Sequence, residues 1–222
     1  MPKPRVKVWD VYVRVTHWAF VATVLFAWWS AENDHMEWHG WAGYVALALV
    51  IFRIYWGLFG GSSALFSHFV RGPATVVRYA GGLVRGPGKV TLGHNPMGGW
   101  SVLALLTVLA AQVVSGLFAV DVDGIESGPL SSMVSFDQGR FAAHAHHWSF
   151  WALEALVVLH LGAVLFYLVR FRENLIGAMI TGSKAADEPW GEPLAPAPAW
   201  RAALGIVIAA SITILVARGF KL

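Results

Sequence analysis

No cysteine occurs among the 222 residues. This excludes disulfides, thiolate-bound zinc, cysteine-held iron–sulfur clusters and covalently attached c-type haem on this chain. Charge is scarce too: Asp, Glu, Lys and Arg make up 13% of the residues, where an ordinary soluble domain carries about 25%. Hydrophobic residues reach 57%, with 12 Trp and 13 Phe. Too few polar side chains remain to cover a water-exposed surface, so lipid is the expected solvent for most of the chain. The length holds several spans of about 20 residues with short loops and leaves no room for a separate soluble domain. The net charge is +3, and nothing in the charge pattern suggests a nucleic-acid partner.

Five apolar stretches can be read as membrane spans. The first is uncharged from Val15 to Ala31 and extends back through Arg14 to Val11. No small-residue cleavage site follows it, so it is not expected to be a signal peptide. The second covers Trp38 to Phe59 with Arg53 near its end. The third follows Gly93-His94-Asn95-Pro96 and stops at Val120, before Asp121 and Asp123. The fourth runs from about Phe141 to Val169 with Glu154 inside it, and the fifth, weaker, from Ala202 to Ala217. Between the second and third, the Gly- and Pro-punctuated segment 60–97 suggests a surface loop with a short interfacial helix near Ala74 to Leu83. The pattern predicts an all-α fold: a transmembrane four-helix bundle over residues 1–182, a Pro-rich cytoplasmic linker over 183–199, and a C-terminal transmembrane helix over 200–222.

Lys and Arg set the expected orientation. Lys3, Arg5, Lys7 and Arg14, then Arg71, Arg78, Arg85 and Lys89, then Arg170, Arg172 and Lys184 all fall on one side of such a bundle. Glu32, Asp34 and Glu37, then Asp121, Asp123, Glu126 and Asp137 fall on the other, with Arg140 as their basic neighbour. The N-terminus is therefore expected in the cytoplasm. Arg218 and Lys221 run against this pattern if the fifth span crosses fully.

Four of the nine histidines, His17, His39, His146 and His160, sit at membrane depth, where ionisable groups are costly and usually functional. His146 and His160 are 14 residues apart, close to four helical turns, so they share a face about 21 Å apart along the axis. Alternating helix direction puts His17 beside His160 toward one side of the membrane, and His39 beside His146 toward the other. An isolated buried histidine is ordinarily a hydrogen-bonded core residue. Two depth-matched pairs in a four-helix bundle are what two haems b need, an axial nitrogen from each side between apolar helix walls. His144 and His147 compete with His146, but an interval of 13 residues from His147 to His160 turns them about 220° apart, so His146 is preferred.

Several motifs join these histidines: Val8-Trp9-Asp10, Arg14, His17-Trp18, His39-Gly40, Gly43-Tyr44, Arg53, Trp56-Gly57 and Gly93-His94-Asn95-Pro96. His146 with Trp148, His160, Asn174-Leu175 and Ala178-Met179-Ile180 continue the series. Over roughly residues 6–182 the chain resembles the prokaryotic cytochrome b561 family, which includes the b-type cytochrome subunits of nickel–iron hydrogenases. The resemblance implies a diheme integral membrane cytochrome of the bacterial inner membrane, carrying electrons between the quinone pool and a redox partner. It places the haem ligands on His17, His39, His146 and His160. His147 stands where the family pattern has an acidic residue, and the fifth helix is an addition.

Arg53 follows His39 by 14 residues and so shares its helix face; Arg14 and Arg53 are candidates to hold haem propionates, or they snorkel to headgroups. Asn95 and Pro96 read as a helix cap and first helical residue, leaving His94 free to assist propionate binding or quinone protonation. The acidic loops, especially 121–137, are a candidate docking face for a basic periplasmic c-type cytochrome or a hydrogenase or dehydrogenase subunit. No general base or nucleophile is arranged for catalysis, as suits an electron carrier. The mostly acidic outer side, with Arg140 and the terminal residues as exceptions, disfavours the alternative of an oxidoreductase acting by itself on an anionic small molecule such as superoxide. A haem-free transporter would need broken helices and mid-membrane carboxylate clusters that the sequence lacks.

Overall fold

The computed structural model describes residues 5–85, 93–123, 126–185 and 194–220. Lys3, Lys89, Lys221 and the central part of the Pro-rich linker, 186–193, lie outside the described residues. Among the described residues eight α-helices and two short strands follow in the order β1 (Arg5–Lys7), α1 (Val11–Glu32), α2 (Met36–Phe59), α3 (Phe66–Phe69), α4 (Pro73–Arg85), α5 (Pro96–Phe118), α6 (Phe136–Phe171), α7 (Leu175–Thr181), β2 (Ser183–Ala185) and α8 (Ala199–Ala217). Five of them, α1, α2, α5, α6 and α8, are long and apolar enough to cross a membrane. They coincide with the five expected spans.

The ends differ from expectation where capping overrides hydropathy. Helix α6 begins at Phe136 because Ser135 and Gln138 form a reciprocal capping box, which satisfies donors left open at a helix start. Its 36 residues measure about 54 Å. Helix α5 starts as expected, with the Asn95 side chain accepting from Gly98 N at 2.7 Å and Pro96 at the first position. It ends at Phe118, and Val120 turns back to bridge Ser127. Helix α4, in the segment where a short interfacial helix is expected, is anchored by Tyr79, whose hydroxyl lies 3.0 Å from that of Tyr167 on α6; Asn95 Nδ2 donates to the same Tyr167 oxygen at 2.8 Å.

A two-stranded antiparallel ribbon was not anticipated: Arg5, Val6 and Lys7 pair with Ala185, Lys184 and Ser183. The linker expected over 183–199 thus opens with a strand. Gly182, at φ 79°, ends α7 and turns the chain into β2, and its carbonyl accepts from both Val8 N and Trp9 N. A left-handed residue of this kind favours glycine, which carries no Cβ.

Helices α1 and α2 pack as one pair and α5 and α6 as another, joined through contacts between α2 and α5. One apolar cluster, including Val50, Leu109, Leu117 and Leu153, links α2, α5 and α6. A second, around Val8, Phe52, Trp56 and Ala202, ties the N-terminal segment, α2 and α8. Helix α8 lies against α2 through small residues, as is usual for helix contacts in lipid. A Cβ at Gly205 would stand 2.5 Å from the Tyr55 ring. Its leading segment is tied to the end of α2, where Ser62 N donates to Ala195 O at 3.0 Å. Its far end reaches the opposite end of the bundle, where Val216 packs in the cluster of Leu117 and Leu130. The added helix therefore runs the full height of the bundle.

Candidate metal centres

The four membrane-depth histidines meet in two pairs. The rings of His17 and His160 have centroids 6.4 Å apart, inclined at 51°. Those of His39 and His146 lie 6.0 Å apart and nearly perpendicular, at 82°. Two metal–nitrogen bonds of about 2 Å and two imidazole half-widths of roughly 1 Å span about 6 Å, so each pair is spaced to hold one metal atom between its rings. Among the described residues no group of three or more His, Cys, Asp or Glu could hold a metal ion. A lone pair of imidazoles suits a metal whose remaining ligands come from a macrocycle, as in haem.

The tautomer of two of the rings follows from their partners. His39 Nδ1 lies 2.8 Å from Ala27 O, and His146 Nδ1 lies 2.8 Å from Gln112 O. A carbonyl only accepts, so both rings carry their proton on Nδ1 and keep the Nε2 lone pair for a metal. Gln112 Nε2 donates to that lone pair on His146 at 3.0 Å, while Ser149 Oγ donates to Gln112 Oε1. The amide of Gln112 must turn aside for His146 Nε2 to ligate. At Gly116 a Cβ would stand 2.9 Å from His146 Nδ1, so the glycine lets α5 approach the ring. At Gly43 and Gly162 a Cβ would meet nothing within 4 Å, which leaves room for a flat group beside these backbones. The residues fit haem.

His144 and His147 are exposed, and His147 accepts from Trp151 Nε1 at 3.0 Å, so neither competes with His146. Glu154 is also exposed on α6. Arg53 is 7% exposed, donates to Ala64 O at 3.5 Å and lies 5.0 Å from the Phe66 ring centre. Arg14 donates to Ile180 O, which ties α1 to the end of α7. Its Nε is sealed from solvent without a partner, as are Nδ1 of His17 and Nδ1 of His94. Sequence reasoning missed Gln112, Ser30, Ser115 and Ser149. Gln112, a lone amide deep in an apolar span, carried a usable signal; the serines did not, because serine is common at helix contacts in lipid.

His94 is packed between Trp9, at 4.5 Å between ring centres, and Phe69, at 4.3 Å. It precedes α5 and lies outside the spans. Burial, reinforced by the charges of Arg53 and Lys184, lowers its pKa from 6.5 to about 3. A ring held neutral in this way is a poor proton acceptor at neutral pH. The unfolded chain binds a proton at this position below about pH 6.5, whereas the folded chain resists it until about pH 3. His94 therefore costs no stability above pH 6.5 and lowers stability as pH falls from there toward 3. Thermal unfolding in micelles as a function of pH is expected to show this slope, and His94→Phe is expected to flatten it.

The family model for prokaryotic cytochrome b561 matches residues 8–182, a stretch that contains all four histidines. A probable Ni/Fe-hydrogenase B-type cytochrome subunit from Bradyrhizobium diazoefficiens is 26% identical over 215 residues, covering 82% of this chain and 87% of the relative. No solved structure matches. With the paired histidines carried by α1, α2 and α6 and a family match across most of its length, the chain belongs to the prokaryotic cytochrome b561 family.

Proposed function

We propose that this membrane b-type cytochrome binds two haems b, one between His17 and His160 and one between His39 and His146, and passes electrons across the membrane between the quinone pool and a redox partner. The observation that carries this function is the spacing of the two ring pairs, 6.4 and 6.0 Å. When bound, haem supplies a one-electron iron couple at each pair, and the protein supplies position and environment. The 14-residue interval on α6 separates the two levels by about 21 Å.

The end of the bundle with His17 and His160 also gathers Arg14, Arg53 and His94, which we assign to the propionates and to the rim of a quinone site. His94, kept neutral, serves there as a packed ring rather than as a proton carrier. The basic segments put this end and the N-terminus in the cytoplasm of a bacterium, with the chain in the inner membrane. The acidic end, with exposed Asp123, Glu126 and Asp137, faces a partner of opposite charge. The name of the Bradyrhizobium relative favours a hydrogenase subunit as that partner, with a c-type cytochrome or another dehydrogenase in the same role.

The test is the absorption spectrum of the purified protein with its haem-to-protein ratio. Reduced b-type bands and two haems per chain are expected; a chain purified from haem-replete membranes without haem would overturn the assignment.

A further inference from the structure

The two ring pairs are held differently. At the acidic end both ligand candidates donate Nδ1–H to a helix carbonyl, His39 to Ala27 O and His146 to Gln112 O, each at 2.8 Å. Each of these carbonyls also accepts from a serine three residues further along its own helix. Ser30 Oγ donates to Ala27 O at 2.9 Å, and Ser115 Oγ donates to Gln112 O at 3.1 Å as well as to Ala111 O at 2.7 Å. At the basic end the pattern is missing: His17 Nδ1 is sealed without a partner, and among the described residues no hydrogen bond holds the His160 ring.

We propose that Ser30 and Ser115 are positioning residues that tune the acidic-end centre through the carbonyls holding His39 and His146, and that this centre has the lower reduction potential of the two. The proposal rests on the two-haem assignment above. An imidazole whose N–H is bonded to a carbonyl is a more basic, more electron-donating ligand. It favours the oxidised, more positive iron and so lowers the potential, whereas the basic-end imidazoles lack that bond. A carbonyl has two lone pairs. Within a helix one is taken by the N–H four residues on, so the histidine and the serine share what is left. The serine weakens the histidine's bond, and its removal strengthens it. Electrons delivered at the acidic end then run downhill to the basic end, in the direction of a quinone.

The experiment is a potentiometric titration of the full-length protein in detergent, followed by its b-type bands. Two waves are expected, separated by a factor of ten or more in equilibrium constant, about 59 mV for a one-electron couple. In the double variant Ser30→Ala with Ser115→Ala, which keeps all four histidines, only the lower wave is expected to move, and it moves further down. In His160→Ala, or in His17→Ala should the first fail to assemble, the remaining wave is expected to be the lower one. A serine variant that shifts the upper wave, raises the lower one or moves neither overturns the proposal. So does a single-haem variant that keeps the upper wave. Absence of b-type bands from the unaltered protein defeats the haem assignment instead, so the two failures are distinguishable.

Discussion

Alanine at His39 or His146 is expected to halve the haem content and leave one b-type centre, and alanine at His17 or His160 is expected to remove the other. The expectation follows from the pairing of the rings across the bundle, His17 with His160 and His39 with His146. A haem b held between the two imidazoles of a pair would lose one of its two protein ligands with either substitution. The second pair, about 21 Å away along α6, keeps both of its rings. Haem quantified per chain and the spectrum of the remaining centre check the result. Two variants from one pair should leave the same spectrum, and two from different pairs should leave different ones. Loss of the same centre from His17→Ala and His39→Ala would break the pairing.

Asp10→Ala is expected to cost about 3 kcal/mol, summed from a lost helix cap and a buried donor left unpaired. The carboxylate caps α1, accepting from Val13 N at 2.8 Å. It also accepts from Trp56 Nε1 at 3.3 Å and from Ser63 Oγ at 2.9 Å. Trp56 is 1% exposed, so removing the acceptor strands its N–H where water cannot replace it. The thermal midpoint in micelles is expected to fall by roughly 10 °C for a domain of this size. Asp10→Asn keeps an oxygen for the cap and should recover more than half of the loss. Both variants should bind haem at low temperature, because Asp10 lies in the cluster formed by the N-terminal segment, α2 and α8 rather than at either ring pair.

The five spans and the four histidines were legible because each writes a long-range constraint into local pattern. Lipid demands about 20 apolar residues per crossing, and a helix of fixed pitch turns an interval of 14 residues into a shared face. Charge asymmetry then separated the two ends. The Asp10–Trp56–Ser63 knot was not legible, since its members belong to different segments and each has an ordinary local role. The ribbon of β1 and β2 was hidden for a similar reason: three-residue strands carry too little alternation to stand out. Arg14 illustrates the limit from the other direction. Its place early in the first span is plain from the sequence, but only the fold shows that its guanidinium is engaged with Ile180 O.

That same ribbon bears on the order in which the molecule is made. Arg5–Lys7 leaves the ribosome well before Ser183–Ala185, which emerges only after all four family helices have been synthesised. Chains grow from the N-terminus, so the basic end stays open until the fourth long helix is in place and α7 follows it. His17 and His160 are brought into register by this late closure, because Arg14, three residues before His17, is fastened to the end of α7. His39 and His146 need no such fastening: both precede His160 in the chain, and Arg140 at the start of α6 is bonded to Val120 O at 2.8 Å. The acidic-end ring pair can therefore be assembled first during biogenesis, and the basic-end pair last.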